Sequence, residues 1–221
     1  MKSKLFSVLA ILAVFGLLIT TSCEEDDGTP PVIELKGDNP MTIDFGADFE
    51  DPGATAKDDE DGEVDVFVEG TVNTEAAGEY TLTYTATDEA GNVGTAKRTV
   101  FVTHTKSNIS GNYVVNETFT SNNPNEPNGT WGPFNATITQ GEEGKMSIRF
   151  NNFGDYGSST IVNAELGGNT GRTVTIPLVV VGGITFEGSG SINASGTKID
   201  INYTADDGTH LYTFTAIWEK N

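Results

Sequence analysis

The sequence predicts an all-β protein: two antiparallel domains behind an export signal. Three observations carry this. Apolar and polar residues alternate with a period of two along most of the chain after residue 31, and no run there has helical spacing. Glycine-rich turns punctuate that alternation at short intervals. The first 22 residues obey a different pattern and do not belong to the folded body.

That opening segment comes first. Lys2 and Lys4 give a basic start, Leu5 to Leu18 form an apolar stretch broken only by Ser7 and Gly16, and Thr20, Thr21 and Ser22 lead into Cys23. A charged start, a short apolar core and a small-residue exit make a secretory signal over residues 1–22. Leu5 to Leu18 as a helix would span about 21 Å, short of a hydrocarbon core of about 30 Å, so a permanent transmembrane helix is not expected. Cys23 is the single cysteine of the chain, which excludes an internal disulfide. Ile19-Thr20-Thr21-Ser22-Cys23 resembles the lipobox cut by bacterial lipoprotein signal peptidase, with Thr20 where leucine is usual. The resemblance implies lipidation of Cys23 and a membrane anchor of acyl chains, durable once two or more are attached.

Residues 23–31 form an acidic tether. Glu24 to Asp27 are four consecutive acids, followed by Gly28, Thr29, Pro30 and Pro31, a composition expected to stay extended and solvated. An acidic run after the lipidated cysteine resembles the surface-export signal of Bacteroidetes lipoproteins, which implies an outer-membrane protein facing outward; a periplasm-facing anchor is the alternative. The net charge of −20 argues against nucleic acid and against anionic head groups as partners. Two of the 12 basic residues precede Cys23, so the chain from Cys23 onward carries ten against 32 acidic residues.

Residues 32–103 read as one domain. Strands are expected at Val32 to Leu35, Thr42 to Phe45, Val64 to Glu69, Glu79 to Asp88 and Thr95 to Val102. In Glu79 to Asp88 the aromatic and aliphatic residues Tyr80, Leu82, Tyr84 and Ala86 share one face, as in a half-buried antiparallel strand. Phe49-Glu50-Asp51-Pro52-Gly53-Ala54, then Asp58-Asp59-Glu60-Asp61-Gly62, then Gly78 to Tyr84, then Asp88-Glu89-Ala90-Gly91-Asn92 occur in that order. Together they resemble the Ig-like domain of bacterial surface proteins, which implies a short β-sandwich used as a spacer or accessory module. The inter-sheet cysteine pair of antibody domains is missing, so the core is expected to rest on Tyr80, Tyr84 and Val66.

After a short polar connector, His104 to Asn108, residues 108–221 are again strand and turn. Eight strands are expected: Tyr113 to Thr120, Phe134 to Gln140, Lys145 to Asn151, Ser159 to Leu166, Thr173 to Val180, Ile184 to Ile192, Thr197 to Thr204 and Leu211 to Trp218. Short glycine-rich loops join such strands as hairpins. The meander either closes into a small up-and-down barrel, removing its edges, or packs as an open β-sandwich. The segment resembles the lipocalin-like carboxy-terminal domains of Bacteroides lipoproteins.

Two groups of residues are candidates for binding. Asp58, Asp59, Asp61 and Asp65, with Asp88 close to them, offer carboxylates to calcium, which takes six to eight oxygens. They do not fit the EF-hand: with Gly62 on its glycine, Lys57 falls on the first ligand and Val68 on the bidentate glutamate. Aspartates also favour tight turns by themselves. Trp131, Phe153, Asp155 and Tyr156 form the second group, read as a ligand site because they fall in or beside the loops Ser121 to Pro133 and Asn151 to Tyr156, which are rich in asparagine. Trp218 shares a face with Tyr212, Phe214 and Ala216 and belongs to the core. The barrel interior, with Gly188 and Gly190 facing it, is a third place for a small molecule. No cofactor is required.

Catalysis has little support. Neither His104 nor His210 has the spacing of a metal site or a triad, and an acylated Cys23 leaves no thiol. The expected function is therefore that of a cell-surface accessory lipoprotein, not an enzyme, whose terminal domain binds a polysaccharide or other extracellular ligand in a nutrient-uptake system beside an outer-membrane transporter. The rival is a structural or adhesive lipoprotein whose terminal domain contacts a partner protein.

Overall fold

The computed structural model describes residues 27–157 and 159–221. The signal segment, Cys23 and the first tether acids lie outside the described residues. No helix among the described residues is long and apolar enough to cross a membrane.

The first module has seven strands: β1 (Val32–Leu35), β2 (Met41–Asp44), β3 (Ala54–Lys57), β4 (Glu63–Val64), β5 (Val66–Glu69), β6 (Gly78–Thr87) and β7 (Val93–Thr103). They form a three-stranded sheet, β1-β3-β4, and a four-stranded sheet, β2-β7-β6-β5. The single strand expected at Val64 to Glu69 is two strands in different sheets, and the chain crosses between them at exposed Asp65. Strand β3 is an addition to the strands that alternation predicts.

Leu82, Tyr84 and Ala86 of β6 and Val100 and Val102 of β7 are buried, as the alternation requires. Arg98 shares the inward phase of β7 and is fully buried. Its Nε donates to Tyr84 Oη at 2.9 Å and lies 3.3 Å from Asp51 Oδ1, which also accepts from Tyr84 Oη at 2.7 Å. Its Nη2 donates to the carbonyls of Lys36 (2.6 Å) and Gly53 (3.1 Å), and its Nη1 to that of Asp38. A buried arginine is tolerated only when its donors are satisfied, and here the acceptors come from both loops that flank β2. This network ties the two sheets where antibody domains use a disulfide. Tyr80 and Val66, expected in the core, are only partly buried.

The connector is not a loose polar link. His104 is fully buried, and Thr105 caps a one-turn helix, α1 (Lys106–Ile109), through a capping box with Asn108. His104 N donates to Thr170 O at 3.0 Å, His104 Nε2 meets Asn193 O at 3.0 Å, and Ala77 N of the first module donates to Ala194 O at 2.7 Å. These contacts dock the first module on two barrel loops.

The second module has eight strands: β8 (Gly111–Ser121), β9 (Asn128–Gln140), β10 (Ser147–Asn151), β11 (Ile161–Gly167), β12 (Thr173–Val181), β13 (Ile184–Ile192), β14 (Lys198–Asp206) and β15 (Leu211–Lys220). Each pairs antiparallel with the next, and β15 pairs back with β8 from Tyr212↔Ser121 to Lys220↔Tyr113, which closes the barrel. Closure, rather than an open sandwich, leaves no free edge. Trp218, Phe150, Phe153, Phe186, Tyr203 and Phe214 fill the interior. Gly188 and Gly190 make no room for a ligand there: a Cβ would stand 2.5 Å from Asn202 O at the first and 2.2 Å from Asp200 O at the second. They serve the close approach of β14.

Candidate functional site

The site begins with an irregularity in β9. Val115 of β8 faces Phe134 and Glu117 faces Trp131, so Gly132 and Pro133 together stand opposite Asn116 alone. This is a β-bulge. Gly132 adopts φ 100°, and a Cβ there would lie 2.5 Å from Val115 O. The extra residue reverses the alternation. Counting back from Phe134, Trp131 would point outward; after the bulge it points to the barrel side with Glu117. Its ring packs at 5.3 Å on Phe119, 5.3 Å on Phe214 and 5.8 Å on Tyr156.

A 3₁₀ turn (Phe153–Asp155) after β10 supplies the other wall. Asn152, Gly154 and Asp155 have positive φ, so one turn sends successive side chains in different directions. Phe153 goes inward and is fully buried between Tyr203 at 4.5 Å and Trp218 at 6.0 Å. That corrects its assignment as a ligand residue: it is core. Tyr156 lies against Trp131, and Asp155 faces solvent.

Trp131, Asp155 and Tyr156, with Thr130, Gly132 and Gly154, thus line one cleft of about 220 Å³. Asp155 also lines the adjoining groove of about 560 Å³, walled by Asn112, Asn135, Asn151, Asn152 and Asn221. Asp155 thus stands between the aromatic rings of the cleft and the amide groups of the groove. Another groove, about 570 Å³, runs beside β1 and β3, but Pro30, Val32 and Lys57 line it with acids and no aromatic ring converges on it.

Sequence reasoning missed Glu117. It is 2% exposed; its Oε1 accepts from Tyr203 Oη at 3.0 Å while Oε2 has no partner. Burial pushes its carboxyl up to about 7; the Asp155 charge adds to the rise and the Tyr203 hydrogen bond opposes it. Burial likewise pushes the Tyr156 hydroxyl up to about 12. The available signal was phase: Glu117 stands on the same face of β8 as Tyr113, Val115 and Phe119, all buried.

The five aspartates proposed for calcium separate. Asp58 and Asp88 are buried and approach each other and Asp27, a residue assigned to the tether. Asp59 and Asp65 are exposed and stand outside that group. Asp61 is outside it too, and its Oδ2 accepts from Glu89 N at 2.7 Å, joining the β3–β4 and β6–β7 loops.

Comparison with known proteins bears on the first module. Residues 33–102 match the bacterial surface protein, Ig-like domain family. The Ig-like domain is thus the β1–β7 sandwich, and the barrel stands outside the match. No curated protein matches the chain. Among solved structures, the chain is similar to a lipoprotein of Bacteroides thetaiotaomicron, 22% identical over 86% of this chain and 100% of that one, with a TM-score of 0.37. It is similar to a candidate outer-membrane protein of Bacteroides fragilis, at 12% identity over 75% and 72% of the two chains and a TM-score of 0.34. A third likeness is to a Clostridium perfringens carbohydrate-binding module and adjoining domains in complex with GlcNAc, at 12% identity, 86% and 47% coverage and a TM-score of 0.30.

Proposed function

We propose that this is an outer-membrane accessory lipoprotein, anchored through Cys23 and facing outward, whose barrel cleft binds a polyhydroxylated extracellular ligand, a glycan, for uptake beside a transporter. The Ig-like domain acts as the spacer. One observation carries the binding reading: Trp131 of β9 and Asp155 and Tyr156 at the 3₁₀ turn converge on one cleft, and Asp155 also lines the asparagine-rich groove. A flat ring can cover the apolar face of a sugar while carboxylate and amide groups take its hydroxyls. The interior is packed with aromatic side chains, which directs binding to the rim.

The test is affinity electrophoresis over a panel of host and plant polysaccharides. At least one should retard the wild type, and Trp131→Ala should weaken that binding by at least about tenfold, or about 1.4 kcal/mol. Absence of binding across the panel, or binding indifferent to Trp131 and Tyr156, contradicts the reading. A stoichiometric membrane partner without sugar binding favours the adhesive alternative, for which Leu178 and Val180, 68% and 63% exposed on β12, offer an apolar contact.

A further inference from the structure

Three carboxylates converge at the acidic end of the Ig-like domain. Asp58 follows β3 and Asp88 follows β6, and they are 2% and 7% exposed. Asp27 reaches them from the segment ahead of β1. One carboxylate oxygen from each of the three lies within 4.8 Å of the other two. Oxygens that share a calcium ion at 2.3–2.6 Å stand at most about 5 Å apart, so the three are spaced as ligands of one ion.

Turn formation accounts for part of this arrangement. Asp58 Oδ1 accepts from Glu60 N at 2.9 Å and Asp61 N at 3.1 Å. Asp88 accepts from Asn92 N at 2.7 Å and from Asn92 Nδ2 at 2.9 Å, and the same Nδ2 donates to Asp27 O at 3.1 Å. One atom is left over. Asp58 Oδ2 is buried and has no hydrogen-bond partner. A carboxylate oxygen withdrawn from water without a donor is costly, and a turn needs only the other oxygen. No ion pair among the described residues reaches Asp27, Asp58 or Asp88. A hard divalent cation supplies what the bare oxygen lacks.

We propose that Asp27, Asp58 and Asp88 together bind one calcium ion, which fastens the segment ahead of β1 to the Ig-like domain. Backbone carbonyls and water complete the six to eight oxygens that calcium takes. Asp61, bridging the two loops through Glu89 N, holds them in register for the ion. Asp27 stands four residues after Cys23. With the chain anchored at Cys23, as the proposed function has it, the ion shortens the free leash and holds the domain close to its attachment; the site itself does not depend on that anchor.

The experiment is calorimetry on the chelator-stripped full chain with Ca²⁺ alone and with Mg²⁺ alone, paired with amide hydrogen exchange at Asp27, Gly28 and Thr29. One saturable Ca²⁺ site is expected, with a dissociation constant of about 10⁻⁴–10⁻³ M as in extracellular modules, and Ca²⁺ should slow exchange at those three amides. Asp58→Asn and Asp27→Asn should each weaken binding by at least about tenfold, while Asp65→Asn leaves it unchanged. Asp27 lies outside the strands, so Asp27→Asn preserves the test even where Asp58→Asn fails to fold. No Ca²⁺ heat, Mg²⁺ bound as tightly as Ca²⁺, or Ca²⁺ binding untouched by Asp27→Asn would overturn the proposal.

Discussion

Glu117 concentrates the chemistry of the barrel in one side chain. A carboxyl whose ordinary value is 4.5 is raised to about 7 inside the fold. The native state therefore holds this proton more tightly than the unfolded chain does, and the protonated form is the stabilised one. Its contribution is complete below about pH 4.5 and disappears as pH rises through about 7, a span of about 3 kcal/mol. Glu117→Gln should flatten this dependence: the barrel of the variant should melt at nearly the same temperature at pH 5 and pH 8, where the wild type loses stability. A wild type equally stable at both would contradict the assignment. At this scale the sequence was legible where alternation is regular, as for Tyr84, Trp218 and Phe214. It was not legible where a polar residue occupies an inward position. Arg98 and Glu117 are buried because partners distant in sequence, Asp51 and Tyr203, meet them in the fold.

At the scale of elements, the strands and their hairpins follow from period-two alternation and glycine joints, and nearly every expected strand is present. The β9 bulge was hidden for a physical reason. Gly132-Pro133 reads as the end of a loop, yet the strand continues through it to Asn128 with its phase reversed, and that reversal brings Trp131 to the cleft. The connector was hidden in the same way, since five mostly polar residues conceal a buried His104. Burial holds the His104 imidazole below its ordinary range, and the Arg172 charge adds to this against the hydrogen bonds of Asn193 and Asn108. Asn108 Nδ2 lies 3.0 Å from His104 Nδ1, while its Oδ1 accepts from Thr105 N at 2.7 Å, which fixes the amide and calls for neutral histidine. With a lowered folded value, this contribution is present above about pH 6.5 and is lost as pH falls through and below it. Mild acid should thus loosen the junction while it strengthens the barrel. Limited proteolysis near residues 103–110 should accelerate at pH 5 relative to pH 7.5 in the wild type but not in His104→Gln; equal rates in the wild type would contradict this.

At the scale of the whole molecule, the proposed function arranges the parts as a series from membrane to ligand: anchor segment, acidic tether, Ig-like spacer, terminal barrel. The charge imbalance lies mainly in the first half of the folded body, and the aromatic cleft lies in the second. The all-β class and the Ig-like module were legible because both rest on local patterning and ordered motifs. The cleft was legible in three of its residues and misread in Phe153, because a left-handed turn, not alternation, decides which way each side chain of Phe153 to Tyr156 points.

The chain has two tryptophans, and the fold separates them: Trp131 lines the cleft, while Trp218 is fully buried in the barrel core. Their two indole N–H resonances report the central claim directly. Titration of the ¹⁵N-labelled protein with a retarding oligosaccharide should move the Trp131 signal progressively and leave that of Trp218 in place. A ligand that binds while the Trp131 resonance stays fixed would contradict the account.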